Sequence, residues 1–218
     1  MTKVNVYVVR HGQTYFNIYN KLQGWSNSPL TDKGIADASS AGNKLAQLRF
    51  TAAYCSDTTR AEQTAQTILD LNKSNSVNQP ITTPFFREEF YGYYEGTNMD
   101  EAWYVAGAPH GVPTFKQIVA KYSIGTAKNF LKEADPFHDA ENNDEYWERL
   151  DKGFQLIRAN KTLQDGDNVL LISHGNTLLS MMEQFAGDQY DLSVRPGNGS
   201  ITKLILTDED VLVEYYNH

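Results

Sequence analysis

The stretch VYVVRHGQTYFN, residues 6–17, decides how this chain folds. Residues 6–9 are apolar without polar alternation, which indicates a strand covered on both faces, as in a parallel sheet. The apolar run stops at Arg10, His11 and Gly12. Because open α/β sheets place their sites at the carboxyl ends of strands, the stretch predicts a buried strand that ends at a functional site.

A second apolar run ends in the same way. The residues NVLLIS, 168–173, are followed by His174 and Gly175. A lone His-Gly pair is typical of a turn, but the ends of two parallel strands meet at one rim of a sheet. We therefore expect His11 and His174 to face each other, and Gly12 and Gly175 to let the backbone approach a ligand.

Two arginines add positive charge at this rim. Arg10 directly precedes His11, and Arg60 lies early in the helix predicted after the second strand. Helix starts at the same rim offer N–H groups to an anion. The combination of two His-Gly strand ends and two arginines indicates a pocket for phosphate.

The order of the predicted elements gives the fold class. Apolar runs predict further strands at 50–56, 200–207 and 211–216. Helical spacing predicts helices that begin at Thr31 or Asp32, cover 58–71 and 143–163, and follow His174. Ile35 and Leu71 are among their expected apolar positions. This order predicts an α/β fold: a three-layer sandwich with a mostly parallel central sheet, helices on both faces and an inserted lid region.

The composition restricts the function classes. The chain has 218 residues, 40% of them hydrophobic, and a formal charge of −8, which argues against a nucleic-acid or membrane surface. The single cysteine, Cys55, lies in an apolar run and is expected to be a buried small hydrophobe. The apolar run near the amino end is too short for a signal peptide or a membrane span, so we expect a soluble cytoplasmic protein. The size fits one domain, 1–218, with 97–142 as an inserted lid subdomain.

Five stretches carry a resemblance to a known family. They are VVRHGQTYFN, NKLQGWSNSPLTDKG, YCSDTTRAEQTA, FFREEFYGYYEG and VLLISHGNTL. In this order they resemble the histidine phosphatase superfamily, in its phosphoglycerate mutase-like branch. Residues 97–142 lie outside the resemblance.

The resemblance implies a role for each matching residue. It implies that His11 is the nucleophile, that Glu88 is the proton donor, and that the phosphoryl group is bound by Arg10, Arg60 and His174. It also implies that the pocket is lined by Asn17, Gln23 and Gly24, with a backbone contact from Asn176.

These roles fit the chemistry of phosphoryl transfer, which needs an in-line nucleophile, positive charge on the phosphoryl oxygens and a proton for the leaving alcohol. Neutral His11 can attack phosphorus if its other ring nitrogen donates to a backbone carbonyl. Arg10, Arg60 and, if protonated, His174 supply charge that replaces a metal ion. We therefore expect a metal-independent phosphomonoester hydrolase with no cofactor, acting on a small phosphorylated metabolite.

The spacing of the candidate residues disfavours other kinds of site. Four residues separate Cys55 from Arg60, whereas a cysteine phosphatase needs five, and no glycine-rich dinucleotide turn is present. The acidic stretch 135–141 has no recognised metal-ligand spacing, so a solvated loop is favoured there.

Two other functions stay open at this stage. A phosphoglycerate mutase is disfavoured because Glu89 and Met99 stand where the mutases of the family carry arginine and lysine. A non-catalytic phosphate-binding module on the same fold is disfavoured because His11 and Glu88 are both present. The sequence leaves open whether the chain forms a homodimer.

The segment 97–142 interrupts the α/β pattern beside Glu88 and has no clear periodicity. It is too aromatic for a disordered linker, and its rings are Trp103, Tyr104, Phe115, Tyr122, Phe130 and Phe137. Such rings either form a small core of the segment or face the substrate. We expect a lid that presents apolar and neutral polar groups to the substrate, because its basic residues are few: Lys116, Lys121, Lys128 and Lys132.

Overall fold

A computed structural model describes residues 3–74 and 77–218, and one mixed sheet lies at its centre. The strands of these residues are β1 (Val4–Arg10), β2 (Phe50–Ser56), β3 (Ile81–Thr83), β4 (Asn168–Ser173), β5 (Ile201–Leu206) and β6 (Val211–Tyr215). Their order is β3-β2-β4-β1-β5-β6. The first four are parallel, β5 pairs antiparallel with β1, and β6 pairs antiparallel with β5. The predicted mostly parallel sheet is confirmed.

Helices fill the connections between these strands. In chain order they are α1 (Tyr15–Ile18), α2 (Asp32–Leu45), α3 (Thr59–Leu71), α4 (Met99–Gly107), α5 (Phe115–Lys121), α6 (Ile124–Ala134), α7 (Asn143–Arg158) and α8 (Gly175–Ala186). Thr31 caps α2 by accepting the Gly34 N–H. The predicted extension of α7 to residue 163 is wrong, since this helix ends at Arg158. None of the helices in the described residues is long and apolar enough to cross a bilayer.

Two apolar clusters give the molecule its three layers. Alternate residues of β1 point to opposite faces, so Val6 and Val8 join the cluster beneath α7 and α8, while Val9 joins the cluster beneath α2 and α3. Both faces of the sheet are therefore covered, as the apolar runs predicted. Ile35 and Leu71 were expected on the apolar faces of their helices, but they do not lie in the core: 52% and 36% of their surface is exposed.

Cys55 lies in the second of these clusters and is fully buried. Burial raises the pKa of its thiol to about 12, so the thiol stays protonated at neutral pH. This matches the interpretation of Cys55 as a small hydrophobe.

Strand register sets the position of the site. In the β1–β4 pair Arg10 lies opposite Ser173, and the His11 N–H donates to the Ser173 carbonyl at 3.0 Å. His11 and His174 therefore leave the sheet at the same level. The loop before β5 returns to this rim, where the Gly199 N–H donates to the Arg10 carbonyl.

The segment 97–142 forms the three helices α4, α5 and α6. Its own apolar cluster is built around Trp103, Ile118 and Leu131 and includes residues that precede it in the chain, such as Tyr91. Phe115 and Phe130 pack against this cluster. The remaining rings of the segment are exposed: Tyr104, Tyr122 and Phe137.

Candidate active site

His11 is buried at the carboxyl end of β1, and its Nδ1 lies 2.8 Å from the Gly12 carbonyl oxygen. A carbonyl only accepts, so Nδ1 carries the proton and Nε2 of the neutral ring keeps its lone pair. Burial, together with Arg60 and Arg10, lowers the pKa of His11 well below its usual value. The ring therefore meets the condition for a nucleophile: it is neutral, with one fixed tautomer.

His174 lies beside it, with the two ring centroids 5.2 Å apart. Its Nδ1 is 3.1 Å from Nη2 of Arg60, which can only donate, so Nε2 carries the proton and donates to Ser56 Oγ at 2.8 Å. Burial and Arg60 lower the pKa of His174 well below its usual value. His174 is thus neutral and adds no charge of its own, so the positive charge comes from the arginines.

Arg60 is fully buried near the start of α3. Its guanidinium donates to the carbonyls of Gln23, Gly24 and Ser26 at 3.3, 2.7 and 2.9 Å, and its Nε has no hydrogen-bond partner. Burial lowers the pKa of Arg60 to about 10, so it stays charged at neutral pH. This arginine fixes the loop that carries Gln23 and Gly24.

Arg10 is the second buried cation. Its Nη1 donates to the Pro196 carbonyl, and its Nε has no hydrogen-bond partner. Burial, with repulsion from Arg195, lowers the pKa of Arg10 to about 10. Arg10 therefore also stays charged and keeps an unused N–H.

Gly12 and Gly175 make room for neighbouring groups of the protein, whereas the sequence predicted that both let the backbone approach a ligand. A Cβ on Gly12 would lie 2.1 Å from the Gly34 carbonyl oxygen, so Gly12 permits β1 to end against α2. A Cβ on Gly175 would lie 3.3 Å from Nε of Arg10. Gly175 thus makes room for the guanidinium.

Glu88 is buried at the first turn of α8. One carboxylate oxygen accepts the Asn176 N–H at 2.8 Å, and the other accepts the Thr177 hydroxyl at 2.9 Å and the Glu89 N–H at 3.1 Å. A helix start favours negative charge, so the carboxylate occupies the place an anion would take there. The expected backbone contact from Asn176 is therefore made to Glu88.

The loop residues Asn17 and Gln23 are held by Thr14. Its backbone N–H donates to the Asn17 side-chain oxygen at 3.0 Å, and its hydroxyl donates to the Gln23 side-chain oxygen at 2.6 Å. With its oxygen fixed, the Gln23 amide nitrogen is buried and has no hydrogen-bond partner. Gln23 therefore presents a free donor.

Glu95 anchors the same loop. Its carboxylate accepts the backbone N–H groups of Gly24, Trp25 and Ser26 at 3.1, 2.8 and 3.1 Å. Glu95 lines neither cavity at this rim, whereas Glu88 lines the cavity that His11 lines, so Glu88 is the better placed of the two to act as proton donor.

Two cavities that share part of their lining lie at this rim. The inner cavity has a volume of about 20 Å³ and is lined by six of the residues assigned from the sequence: Arg10, His11, Asn17, Gln23, Glu88 and Asn176. The outer cavity, of about 700 Å³, shares Arg10, Asn17, Met99 and Arg195 with it. Arg60, His174 and Gly24 do not line the inner cavity.

Two residues that line the inner cavity carry unpaired donors. Nε of Arg10 and the amide nitrogen of Gln23 are buried without a hydrogen-bond partner. Nε of Arg60 is also buried and unpaired, but Arg60 does not line this cavity. Buried N–H groups are nearly always paired in folded proteins, so the donors of Arg10 and Gln23 indicate an acceptor with more than one oxygen. A phosphate group has that form.

The outer cavity corrects the expectation of a lid with only apolar and neutral polar groups. Trp103 and Phe115 do line it, but so do the charged side chains of Asp100 and Lys116. Lys128, also counted among the lid lysines, is fully buried.

Arg149 supports the site and was missed from the sequence. Its guanidinium donates to the Arg87 and Glu88 carbonyls at 3.0 and 3.1 Å and to both carboxylate oxygens of Glu141, so it fixes the backbone at Glu88. The signal was available, because Arg149 follows Tyr146 by three residues and so lies on the apolar face of α7.

The acidic stretch is only in part the solvated loop that the sequence favoured: residues 136–139 are exposed, but Asp135 and Glu141 are buried. Glu141 pairs with Arg149, and Asp135 accepts the N–H groups of Phe137 and Ala140 at 2.9 Å each. The described residues contain no cluster of three or more side chains able to hold a metal ion.

Comparison with known proteins places this site in a family. A family model described as the histidine phosphatase superfamily (branch 1) matches residues 6–218. The crystal structure of phosphoglycerate mutase from Bacillus anthracis str. Sterne is similar with a TM-score of 0.90 and 30% identity, covering 99% of this chain and 93% of that one.

Two curated proteins show the range of similar sequences. A 2,3-bisphosphoglycerate-dependent phosphoglycerate mutase 2 of Lactiplantibacillus plantarum is 30% identical over 87% of this chain and 89% of its own length. Fructose-2,6-bisphosphatase TIGAR B of Danio rerio is 35% identical over 57% of this chain and 51% of its own. The chain spans about half the length of several curated relatives that it matches. With the family model matched along nearly all of its length, the chain belongs to the histidine phosphatase superfamily, branch 1.

Proposed function

We propose that the protein is a metal-independent phosphomonoester hydrolase that works through a phosphohistidine on His11. The observation that carries the proposal is that two buried donors without hydrogen-bond partners, on Arg10 and Gln23, belong to residues that line one cavity together with His11 and Glu88. The donors suit the phosphoryl oxygens, and the neutral His11 ring has a free Nε2.

In the proposed reaction Nε2 of His11 attacks phosphorus and the bond to the ester oxygen breaks. The ester enters as its monoanion, and Glu88 relays the proton of the ester to the leaving oxygen, so the alcohol departs neutral. Glu88 then takes a proton from water as the water attacks the phosphohistidine, which frees His11 and inorganic phosphate. Arg10 and Arg60 balance the charge on the phosphoryl oxygens, and neutral His174 orients Arg60 through the bond to its Nδ1.

Phosphoglycerate mutase activity is the second candidate, and the names of two similar proteins favour it. Two residues favour hydrolysis instead. Met99 brings a thioether to the wall shared by both cavities, and Glu89 is buried away from the lining of either one. Neither residue offers a cation to a multiply charged phosphoglycerate. The bisphosphatase name of the Danio rerio relative shows that similar sequences also carry a phosphatase name.

The experiment compares the two reactions in one protein. Phosphorus NMR follows p-nitrophenyl phosphate in one sample and a phosphoglycerate with catalytic bisphosphoglycerate in another. A hydrolase releases inorganic phosphate from the aryl ester, whereas a mutase interconverts the phosphoglycerates with little phosphate release. His11→Ala, checked for folding by circular dichroism, is the control and is expected to lose the reaction. Interconversion that is much faster than phosphate release from any ester contradicts the proposal.

A further inference from the structure

Trp25 lies in the loop that Arg60 and Glu95 anchor, and it lines neither of the two cavities. Its backbone is held on both sides. The Trp25 N–H donates to Glu95 at 2.8 Å, and the neighbouring carbonyls of Gly24 and Ser26 accept from Arg60 at 2.7 and 2.9 Å. The indole therefore projects from a fixed piece of backbone.

The indole reaches the backbone of the proton donor. Its Nε1 donates to the Glu88 carbonyl oxygen at 3.2 Å. The Trp25 ring packs against the Phe90 ring, with the two centroids 4.7 Å apart, and the Arg87 guanidinium lies 4.5 Å from the ring centre. One side chain of the loop thus contacts three of the four residues of the segment 87–90.

The backbone next to Glu88 has no regular secondary structure, so its position depends on contacts with side chains. Arg87 donates to both carboxylate oxygens of Asp57 at 2.6 Å each, which ties it to the end of β2. Arg149 of α7 shares the Glu88 carbonyl with Trp25, at 3.1 Å. These two arginines fix Glu88 to the body of the protein, whereas Trp25 fixes it to the loop.

We propose that Trp25 is a positioning residue that couples the loop at the phosphoryl group to the proton donor, Glu88. The proposal rests on the proposed function for the roles of Glu88 and of the loop. Proton transfer needs the donor within about 3 Å of the leaving oxygen, and a displacement of about 1 Å can lower a rate about a hundredfold. By holding the Glu88 carbonyl, Trp25 keeps the distance from the carboxyl to the bound phosphoryl group constant.

The test compares two kinds of leaving group. Trp25→Phe removes the indole N–H and keeps an aromatic ring against Phe90. Because Arg149 still holds the Glu88 carbonyl, kcat/KM for an alkyl phosphate is expected to fall about tenfold, the loss of one hydrogen bond. A phenolate leaves with little protonation, so kcat/KM for an aryl phosphate is expected to fall about twofold at most.

Two further variants control this comparison. Trp147→Phe makes the same change on α7, where the ring packs against Tyr146 and Phe185, and it is expected to keep both wild-type values. In Glu88→Gln the proton donor is gone, so adding Trp25→Phe is expected to cause no further loss with the alkyl ester. Equal losses for the alkyl and aryl esters in Trp25→Phe, or losses that multiply in the double variant, overturn the proposal.

Hydrogen–deuterium exchange separates this inference from the proposed function, because it needs no turnover. Inorganic phosphate, the probe, is expected to slow backbone exchange in residues 21–26 and 87–91 of the wild type, but only in 21–26 of Trp25→Phe. If neither ester is hydrolysed and this pattern is found, the hydrolase proposal fails and the coupling through Trp25 stands. Phosphate that leaves 87–91 unprotected in the wild type, or protects it equally in Trp25→Phe, overturns the coupling.

Discussion

Glu89 offers a stability test that depends on one buried carboxyl. Glu89 is 1% exposed, one of its carboxylate oxygens has no hydrogen-bond partner, and the Asn176 amide is 3.5 Å from the other. Lys128 is buried nearby, donates to Ser180 Oγ at 2.8 Å and lies over the Tyr146 ring, without forming an ion pair with Glu89. Burial raises the pKa of Glu89 to about 8, against an attraction to Lys128 that lowers it and repulsion from Glu88 and Glu141 that adds to the rise.

The sign of the effect follows from this pKa. Below pH 4.5 the carboxyl is protonated in both the folded and the unfolded chain, so the pH has no effect through Glu89. Between pH 4.5 and about 8 the unfolded chain loses the proton first, so the free energy of unfolding falls as the pH rises. With about 1.4 kcal/mol for each unit of pKa difference, the loss approaches about 5 kcal/mol above pH 8.

Glu89→Gln removes this pH dependence because glutamine stays neutral. The variant is expected to gain stability over the wild type as the pH rises from 5 to 9, by up to about 5 kcal/mol. Lys128 contributes in the same direction. Without the charge of Glu89 the pKa of Lys128 falls further, so a protonated Lys128 destabilises the folded variant more at low pH. This destabilisation disappears as the pH rises.

Urea unfolding at pH 5, 7 and 9 measures the difference for the wild type, Glu89→Gln and a control. Glu209→Gln changes an exposed glutamate in the turn between β5 and β6, and its difference from the wild type is expected to vary little with pH. A difference for Glu89→Gln that stays constant, or that shrinks as the pH rises, would refute the reasoning.

Three further predictions concern catalysis. Ser56→Ala removes the acceptor of the His174 Nε2–H and is expected to lower kcat/KM about tenfold, the loss of one buried hydrogen bond; an unchanged value means that Ser56 does not set the His174 tautomer. Glu88→Gln is expected to slow alkyl phosphates far more than aryl phosphates, since a phenolate leaves with little protonation; equal losses, with phosphoenzyme formation rate-limiting, assign the proton to another group. Excess EDTA is expected to leave turnover intact, and complete loss that added metal restores would contradict metal independence.

The sequence predicted the parts of the fold that depend on local pattern. The apolar residues 6–9 and 168–173 form strands because both of their faces are covered, and the resulting register brings His11 and His174 together. Thr31 begins α2 because its hydroxyl accepts an N–H of the first turn. Such signals lie within a few residues of each other.

Contacts between residues far apart in the chain could not be predicted from the sequence. Arg195 reaches the site because β5 runs antiparallel to β1 and returns the preceding loop to the rim, 184 residues after His11 in the chain. The sequence suggested that Gly12 lets the backbone approach a ligand. Its actual neighbour is the Gly34 carbonyl, which the packing of α2 brings there. No local pattern encodes either neighbour.

The sequence did not predict the bounds of helices α4, α5 and α6, although each helix carries a capping signal. Asn98, Thr114 and Ser123 each accept a backbone N–H in the first turn of their helix. The helices have nine, seven and eleven residues, so few turns were available to establish an apolar period. The division into a body and a lid subdomain, 97–142, stays a prediction.

The covalent state of His11 during turnover tests the central proposal most directly. A single-turnover reaction with an aryl phosphate is quenched in alkali, which preserves phosphohistidine, and the modified residue is located by tandem mass spectrometry. We predict a phosphoryl group on His11 that is lost in acid and is absent from the folded His11→Ala variant. A label that survives acid, as phosphoserine does, or an active His11→Ala enzyme would contradict the account.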